Sequence, residues 1–418
     1  SGGTDSGLLV AHAVAHQRAR GDTSPLLAFT IALDGDGQAV DETDAATSVA
    51  KTLGVEHHVL RVQREALVTR ARHVVDQCDV PFANPSALLQ EMLFERVSAH
   101  VPVVLSGDGG DEAFGGYPRH RAVQLWTAIR RLPPVIRDAL MAGAHLLPDW
   151  PGAPPLSRRI RRFLLPLAHA FPALYRAWLT HYTEQEWVAL ARHPSWLQRA
   201  GADPGNVEAL LMGSHAAAAG MVPSPSPSPS PSTPLARACW VDAQDFLPNN
   251  LFVQADRMSM RHGLELRVPF ADARVRTFGL GLPDHLRMLP LASLLDGQSH
   301  HSSKRLLRLV ARRYLPAHIT AARKQGLVPP MARWLRGELR PWRDELLSTA
   351  AVAARGLVDP QRVAAMVAEH DSGYRNRTWN LWALMVLEDW FRRRIDNLDL
   401  PEVAAAVECQ LVQATRVV

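Results

Sequence analysis

The sequence predicts an α/β protein: a doubly wound, mostly parallel sheet followed by a largely helical C-terminal part. Three observations predict it. Over residues 1–120, stretches with helical spacing of apolar residues alternate with short apolar runs that suit buried parallel strands. Two glycine-rich loops carrying acids lie beside those runs, and in such sheets ligands gather beyond the carboxyl ends of the strands. From about residue 121 the strand signal fades, and apolar residues, arginines and tryptophans recur with helix-like spacing.

The elements follow in order. SGLLVAHAVAHQRARG (6–21) has the helical spacing and closes at Gly21. PLLAFTIAL (25–33) is a strand with little polar interruption. VDETDAATSVAKTLGV (40–55) starts with acids and ends at Gly54, as a helix does. EHHVLRV (56–62) alternates as a strand, so that His57 and His58 face opposite ways and do not form a metal pair. REALVTRARHVVDQCD (64–79) and PSALLQEMLFERVSAH (85–100) are helical, the second with Ser86 as its N-cap. VPVVLSGDGGDE (101–112) is an apolar strand entering an acidic glycine loop. Residues 121–222 form a helical part, and the tract PSPSPSPSPSTP (223–234) is a low-complexity linker with no side chains for a core. Residues 235–400 are a second helical part, and 401–418 a tail.

Composition narrows the function classes. No apolar run approaches the roughly 20 residues of a membrane helix, and the residues from Ser1 onward do not read as a basic-then-apolar signal segment, so export is not expected. Cys78, Cys239 and Cys409 are scattered, which makes neither a disulfide framework nor a metal knuckle and fits a reducing cytoplasm. The net charge of +5 would suit nucleic acid, but the arginines are dispersed without aromatic interleaving, so no nucleic acid and no membrane partner is expected. Lys51, Lys304 and Lys324 are the only lysines in a chain that otherwise uses arginine, which makes those three positions worth attention.

The chemistry sits in the loops. In SGGTDS (1–6), Gly2 and Gly3 let backbone N–H groups approach a phosphate, Ser1 and Ser6 add hydroxyls, and the following helix presents its positive end. Asp5 would repel that phosphate unless a divalent cation accepts oxygens from both. In LSGDGGDEAFGGYPRHR (105–121), Asp108, Asp111 and Glu112 crowd within five residues; clustered carboxylates repel unless a cation or a substrate ammonium lies among them. Taken together, the two loops suggest a Mg-nucleotide held between them.

Four blocks resemble the synthetase domain of the asparagine synthetase family, a branch of the ATP pyrophosphatases with an adenine nucleotide alpha hydrolase-like sheet. They are SGGTDS, LSGDGGDEAFGGY, ADRMSMRHGLELRVPFAD (255–272) and RKQGLVPPMARWLRGEL (323–339), in family order across most of the chain. The resemblance implies one synthetase-type domain over residues 1–400, with ATP and Mg²⁺ as its cofactors. It implies a ligase that adenylates a side-chain carboxylate of an aspartate-like substrate, releases pyrophosphate, and amidates the acyl-adenylate with ammonia to give an amide and AMP. Carried over by position, Ser1, Gly2, Gly3 and Ser6 hold pyrophosphate, and Asp5 and Asp111 hold Mg²⁺. Ile31 and Ser106-Gly107 line the nucleotide site. Asp108 manages the proton of the attacking amine, while Lys324 and Lys304 stabilise charge on the phosphates and the oxyanion. Glu112, Asp256, Arg257, Glu265 and Arg267 either position substrate or, as the preferred reading of the 256–267 group, form a buried ion-pair lattice locking helices over the site.

Two departures from the family pattern stand out. Gly7 occupies the place of a second serine. The strand and the glutaminase domain that precede the loop in the family do not precede Ser1, so the chain is expected to be the C-terminal part of a longer protein, or to work with a glutaminase subunit, and by itself to use free ammonia. Two other readings stay open. One is another acyl-adenylate amide former of the β-lactam synthetase or lasso-peptide cyclase type, though β-lactam synthetases carry a tyrosine where Asp108 stands. The other is a binding remnant without turnover.

Overall fold

The structure is a computed structural model that describes residues 2–33, 42–62, 66–147, 155–171, 173–182, 184–192, 233–291, 303–321, 326 and 328–396. Ser1, Lys324, most of the Pro-Ser tract and the tail 401–418 lie outside the described residues.

Helix α1 (Thr4–Ala19) leads from the first glycine loop to strand β1 (Leu27–Ala32). Helix α2 (Thr43–Leu53) ends at Gly54, whose left-handed φ of 72° turns the chain into strand β2 (Glu56–Arg61). The two strands pair in parallel from Leu27 opposite Glu56 to Ala32 opposite Arg61, with α2 as the crossover that a parallel pair needs. Along β2, His57 approaches Thr30 Oγ1 at 2.9 Å, whereas His58 stacks on Phe29, so the alternation separates the two histidines.

Helices α3 (Leu67–Asp76) and α4 (Ser86–Ser98) follow, then strand β3 (Val103–Leu105), helix α5 (Gly110–Phe114) and helix α6 (Pro118–Ile129). At the start of α4, Ser86 does not cap. Its hydroxyl and its backbone N–H both donate to Asn84 Oδ1, at 2.6 and 3.1 Å. Asn84 therefore supplies the acceptor from two residues upstream, as Asx turns do.

The expected α/β class is present, while a doubly wound sheet is not confirmed among the described residues. Among the described residues the molecule is a mixed α/β structure, mostly helical, with two separate two-stranded parallel sheets, one of β1 with β2 and one of β3 with a later strand. Strand β4 (Glu265–Arg267) lies in a stretch read from sequence as a charged lattice. It pairs with β3 from Val103 opposite Glu265 to Leu105 opposite Arg267. Three residues per strand are too few to impose an alternation that sequence alone can detect. Each strand turns one residue inward, Val104 and Leu266, while Val103 and Leu105 face outward and are exposed.

Two cores position the rest. The larger joins α3 and α4 to residues 331–386, including Trp334, Trp342 and Trp382, all buried. The smaller packs Leu8 of α1, Val49 of α2 and Ala113 and Phe114 of α5 against Phe270 and against Leu307 and Ala311 of the helix Arg305–Ala311. Segments far apart in sequence are thereby brought to one place by apolar burial, at about 25 cal/mol per Å².

Candidate active site

The first glycine loop ends where α1 begins. Gly3 is the N-cap residue in extended conformation, no side chain caps this end, and Asp5 sits in the first turn. The unpaired N–H groups of a helix start favour a carboxylate there. The second loop leaves β3 and folds onto the first. A Cβ on Gly107 would lie 3.1 Å from Asp5 Cβ and 3.2 Å from Ser6 N, so the two loops are in van der Waals contact. Helix α5 then carries Asp111 and Glu112 in its first turn.

Lys304 joins them. Its Nζ is paired with Asp5 Oδ2 and lies 2.6 Å from Asp111 Oδ1. Acids read from two separate loops thus converge on one ammonium. Burial alone would lower the Lys304 pKa, but the Asp111 and Asp5 carboxylates outweigh it and hold the ammonium above its usual range. Lys304 has φ 51°, the one positive value among the described non-glycine residues, and it starts the helix Arg305–Ala311. Arg308 braces this turn by donating to Ser303 O at 2.9 Å and Thr320 O at 2.6 Å. Gly116 completes the fit, because a Cβ there would stand 1.6 Å from Asp111 Oδ1 and 2.2 Å from Lys304 Cε.

Asp108 is partly buried and accepts from Ser106 Oγ at 2.7 Å. Glu112 is buried, and Tyr117 Oη donates to its Oε1. Burial, then the neighbouring Asp111 charge, pushes its pKa up to about 7. Ile31 lines a cleft with Leu60, Arg61, Arg70, Met92, Glu95 and Arg96.

The group at 256–267 does not form a buried lattice. Asp256 and Arg257 are on the outer face of the helix Val253–Met260, with Ala255, Met258 and Ser259 turned inward. Arg257 pairs with exposed Asp79, and Arg267 with exposed Glu265. Helical and strand periodicity put these charges on the solvent side. The block supports the site through other atoms. Arg267 O accepts from Ser106 N at 2.9 Å, and Phe270 packs beside Gly109 and edge-on to Phe114.

Buried ion networks occur elsewhere, at residues the sequence did not single out. Asp242 Oδ2 accepts from Arg119 Nε at 2.9 Å and from Tyr175 Oη at 2.7 Å, and it lies 2.8 Å from His120 Nε2. The Tyr117 N–H points at His120 Nδ1, which assigns the proton to Nε2, the nitrogen facing Asp242. A second network gathers Arg70 at 2.8 Å and His262 at 3.5 Å around buried Glu91. The first is reachable from sequence only through GGYPRHR, the continuation of the acidic loop; Asp242 lies in a π-helical segment, Asp242–Phe252, with no motif of its own.

Among the described residues, no group of three or more His, Cys, Asp or Glu is placed to hold a metal ion. Two carboxylates are what Asp5 and Asp111 provide. Magnesium held with a nucleotide takes one or two carboxylates and completes its shell with phosphate and water oxygens. A pair that already shares one cation, built only from oxygen donors, fits such an ion.

Comparison with known proteins addresses the family. The family model described as asparagine synthase matches residues 1–392. A putative glutamine-hydrolysing asparagine synthetase of Mycobacterium tuberculosis is 27% identical over 405 residues, covering 97% of this chain and 55% of the relative. Glutamine-hydrolysing asparagine synthetase 1 of Bacillus subtilis is 23% identical over 402 residues, 96% of this chain and 56% of its own. A Gibberella zeae protein named amidase chry2 is 25% identical over 381 residues, 86% of this chain and 53% of its own. The chain spans about half the length of these curated relatives. With a family model matched over nearly its whole length, the chain belongs to the asparagine synthase family.

Proposed function

We propose that this chain is an ATP-dependent, amide-forming carbon–nitrogen ligase that adenylates a substrate carboxylate and transfers the acyl group to ammonia. The observation that carries this reading is the convergence of Asp5 and Asp111 on one cation beside the Gly107 loop. In this reading the backbone of Gly2, Gly3 and Gly107, together with Ser6, receives the polyphosphate, and Ser106 borders the nucleotide. Asp5 and Asp111 would hold Mg²⁺, which when bound supplies positive charge to the phosphates. Lys304 lies next to that pair and adds an ammonium for charge that develops as pyrophosphate leaves. Asp108, oriented by Ser106, would accept the proton released as the C–N bond forms. The carbonyl oxygen of the substrate carboxylate stays on the acyl carbon, one carboxylate oxygen leaves with AMP, and the amine nitrogen takes its place. Ser1 and Lys324 are proposed to extend the phosphate-binding set from outside the described residues.

The test is product analysis. Purified chain with Mg-ATP, ammonia and a panel of amino-dicarboxylates is expected to yield pyrophosphate, AMP and one amide, each dependent on the carboxylate. Release of ADP and phosphate instead, or no heat of Mg-ATP binding by calorimetry, would remove the reading. A second reading keeps the adenylation and changes the acceptor or acid; its support is that a relative at an identity close to that of the synthetases carries the name amidase rather than asparagine synthetase. Mass spectrometry of products from larger carboxylates separates the two.

A further inference from the structure

Lys304 stands where a metal shared by Asp5 and Asp111 would stand. Its ammonium contacts both carboxylates at once, the Asp111 oxygen at 2.6 Å, and the residue is 6% exposed. Its position is built. The left-handed backbone at φ 51° aims the side chain, Arg308 ties down the turn through Ser303 O, and Gly116 leaves the space beside Lys304 Cε. Two carboxylates brought together away from water repel each other, and a cation between them removes that repulsion. The chain provides this cation itself.

We propose that the Lys304 ammonium is the resident counter-ion of the paired carboxylates and must give up that place before a divalent metal can occupy it. The inference rests on the reading of Asp5 and Asp111 as the metal-holding pair. A divalent ion arriving alone meets an occupied site. An ion arriving with a nucleotide brings phosphate oxygens that accept the displaced ammonium in charge-assisted hydrogen bonds. Lysine suits this exchange because its charge is compact and its stem has four flexible carbons, whereas the arginine used almost everywhere else in this chain is a planar fork.

The probe is Mn²⁺ without nucleotide, its free fraction read by electron paramagnetic resonance. Wild-type chain and Lys304→Arg are expected to bind it weakly. Lys304→Met is expected to bind it about tenfold tighter or more, since a positive charge within a few ångströms of the ion is gone. Its melting temperature should rise with Mn²⁺ while that of wild type does not. Adding Asp5→Asn to Lys304→Met should abolish the gain. Should Lys304→Met fold only when a divalent ion is present, the proposal is supported; if it folds in neither condition, Lys304→Gln carries the same comparison. No gain in Mn²⁺ affinity, in a chain whose wild type still shows heat with Mg-ATP, overturns this inference and leaves the ligase reading standing. A gain that survives Asp5→Asn overturns it too, because the ion then binds elsewhere. No gain together with no Mg-ATP heat overturns both.

Discussion

At the scale of single residues, Asp5 and Asp111 should be the least replaceable side chains in the site. Asp111→Asn removes a charge from the pair while keeping its shape, and pyrophosphate release is expected to fall by about 100-fold or more. Wild-type yield of pyrophosphate from the Asp111→Asn chain would contradict the role given to this carboxylate. Gly116→Ala should be nearly as damaging, although glycine carries no function of its own. The added Cβ would stand 1.6 Å from Asp111 Oδ1, so either the acid or the backbone must move. A loss of about 1–3 kcal/mol in chemical denaturation, with a larger loss of turnover, is the expected pattern. Much of this site was legible. Paired glycines and acids in SGGTDS and LSGDGGDE drew attention to Asp5 and to the cluster Asp108, Asp111 and Glu112, the scarcity of lysine to Lys51, Lys304 and Lys324, and the family resemblance singled out Asp111 and Lys304 among them. What could not be read was the contact itself, because nothing local in the sequence says that residue 304 reaches residues 5 and 111. The charges at 256–267 misled for a related reason: a carboxylate and a guanidinium next to apolar residues look alike in sequence whether they face inward or outward.

At the scale of elements, the helices and the β1–α2–β2 unit follow from periodicity and from Gly54, whereas β4 does not. Its three residues acquire strand geometry only from the ladder with β3, a tertiary cause that propensity does not encode. The same holds for the junction between α6 and the π-helical segment Asp242–Phe252, where a buried carboxylate replaces an apolar contact. Burial works against the Asp242 charge, but the hydrogen bonds from His120 and Arg119 outweigh it and keep its pKa below the ordinary carboxylate range. Removing one partner of such a pair strands the other. Asp242→Ala is therefore expected to destabilise by about 3–5 kcal/mol, more than an exposed pair such as Arg257–Asp79, which should be worth under about 1 kcal/mol. Urea denaturation of Asp242→Ala and Asp79→Ala side by side checks the ranking, and equal losses would contradict it.

At the scale of the whole molecule, the larger core draws on residues 67–97 and on residues 331–386, so the N-terminal and C-terminal parts of the described chain cannot lose their packing independently. Acid should expose this coupling through two histidines buried in different regions. His120, surrounded by Asp242, Arg119 and more distantly Asp111, is held below its usual pKa first by burial. His370 is lowered to about 4, again first by burial and then by Arg336 and Arg343, against the opposing pull of Asp371 and the Ala332 carbonyl. In the unfolded chain both would titrate near about 6.5. A folded pKa below the unfolded one means that the unfolded state binds more protons between the two values. The stability these groups confer is then complete above about pH 6.5 and drains away as pH falls toward the folded pKa. The two histidines accordingly lower the melting temperature between about pH 6.5 and pH 4, and Asp242, whose pKa is also depressed, extends the loss below that range. His370→Gln keeps a polar side chain that does not titrate, so it should flatten the upper part of this slope even if it lowers stability at neutral pH. Glu112, whose folded pKa is raised to about 7, gains stability as pH falls through the same range, so the test is the difference between wild type and His370→Gln: an unchanged slope would mean that the acid lability comes from other groups, and a steeper loss in the variant would contradict the sign derived for His370.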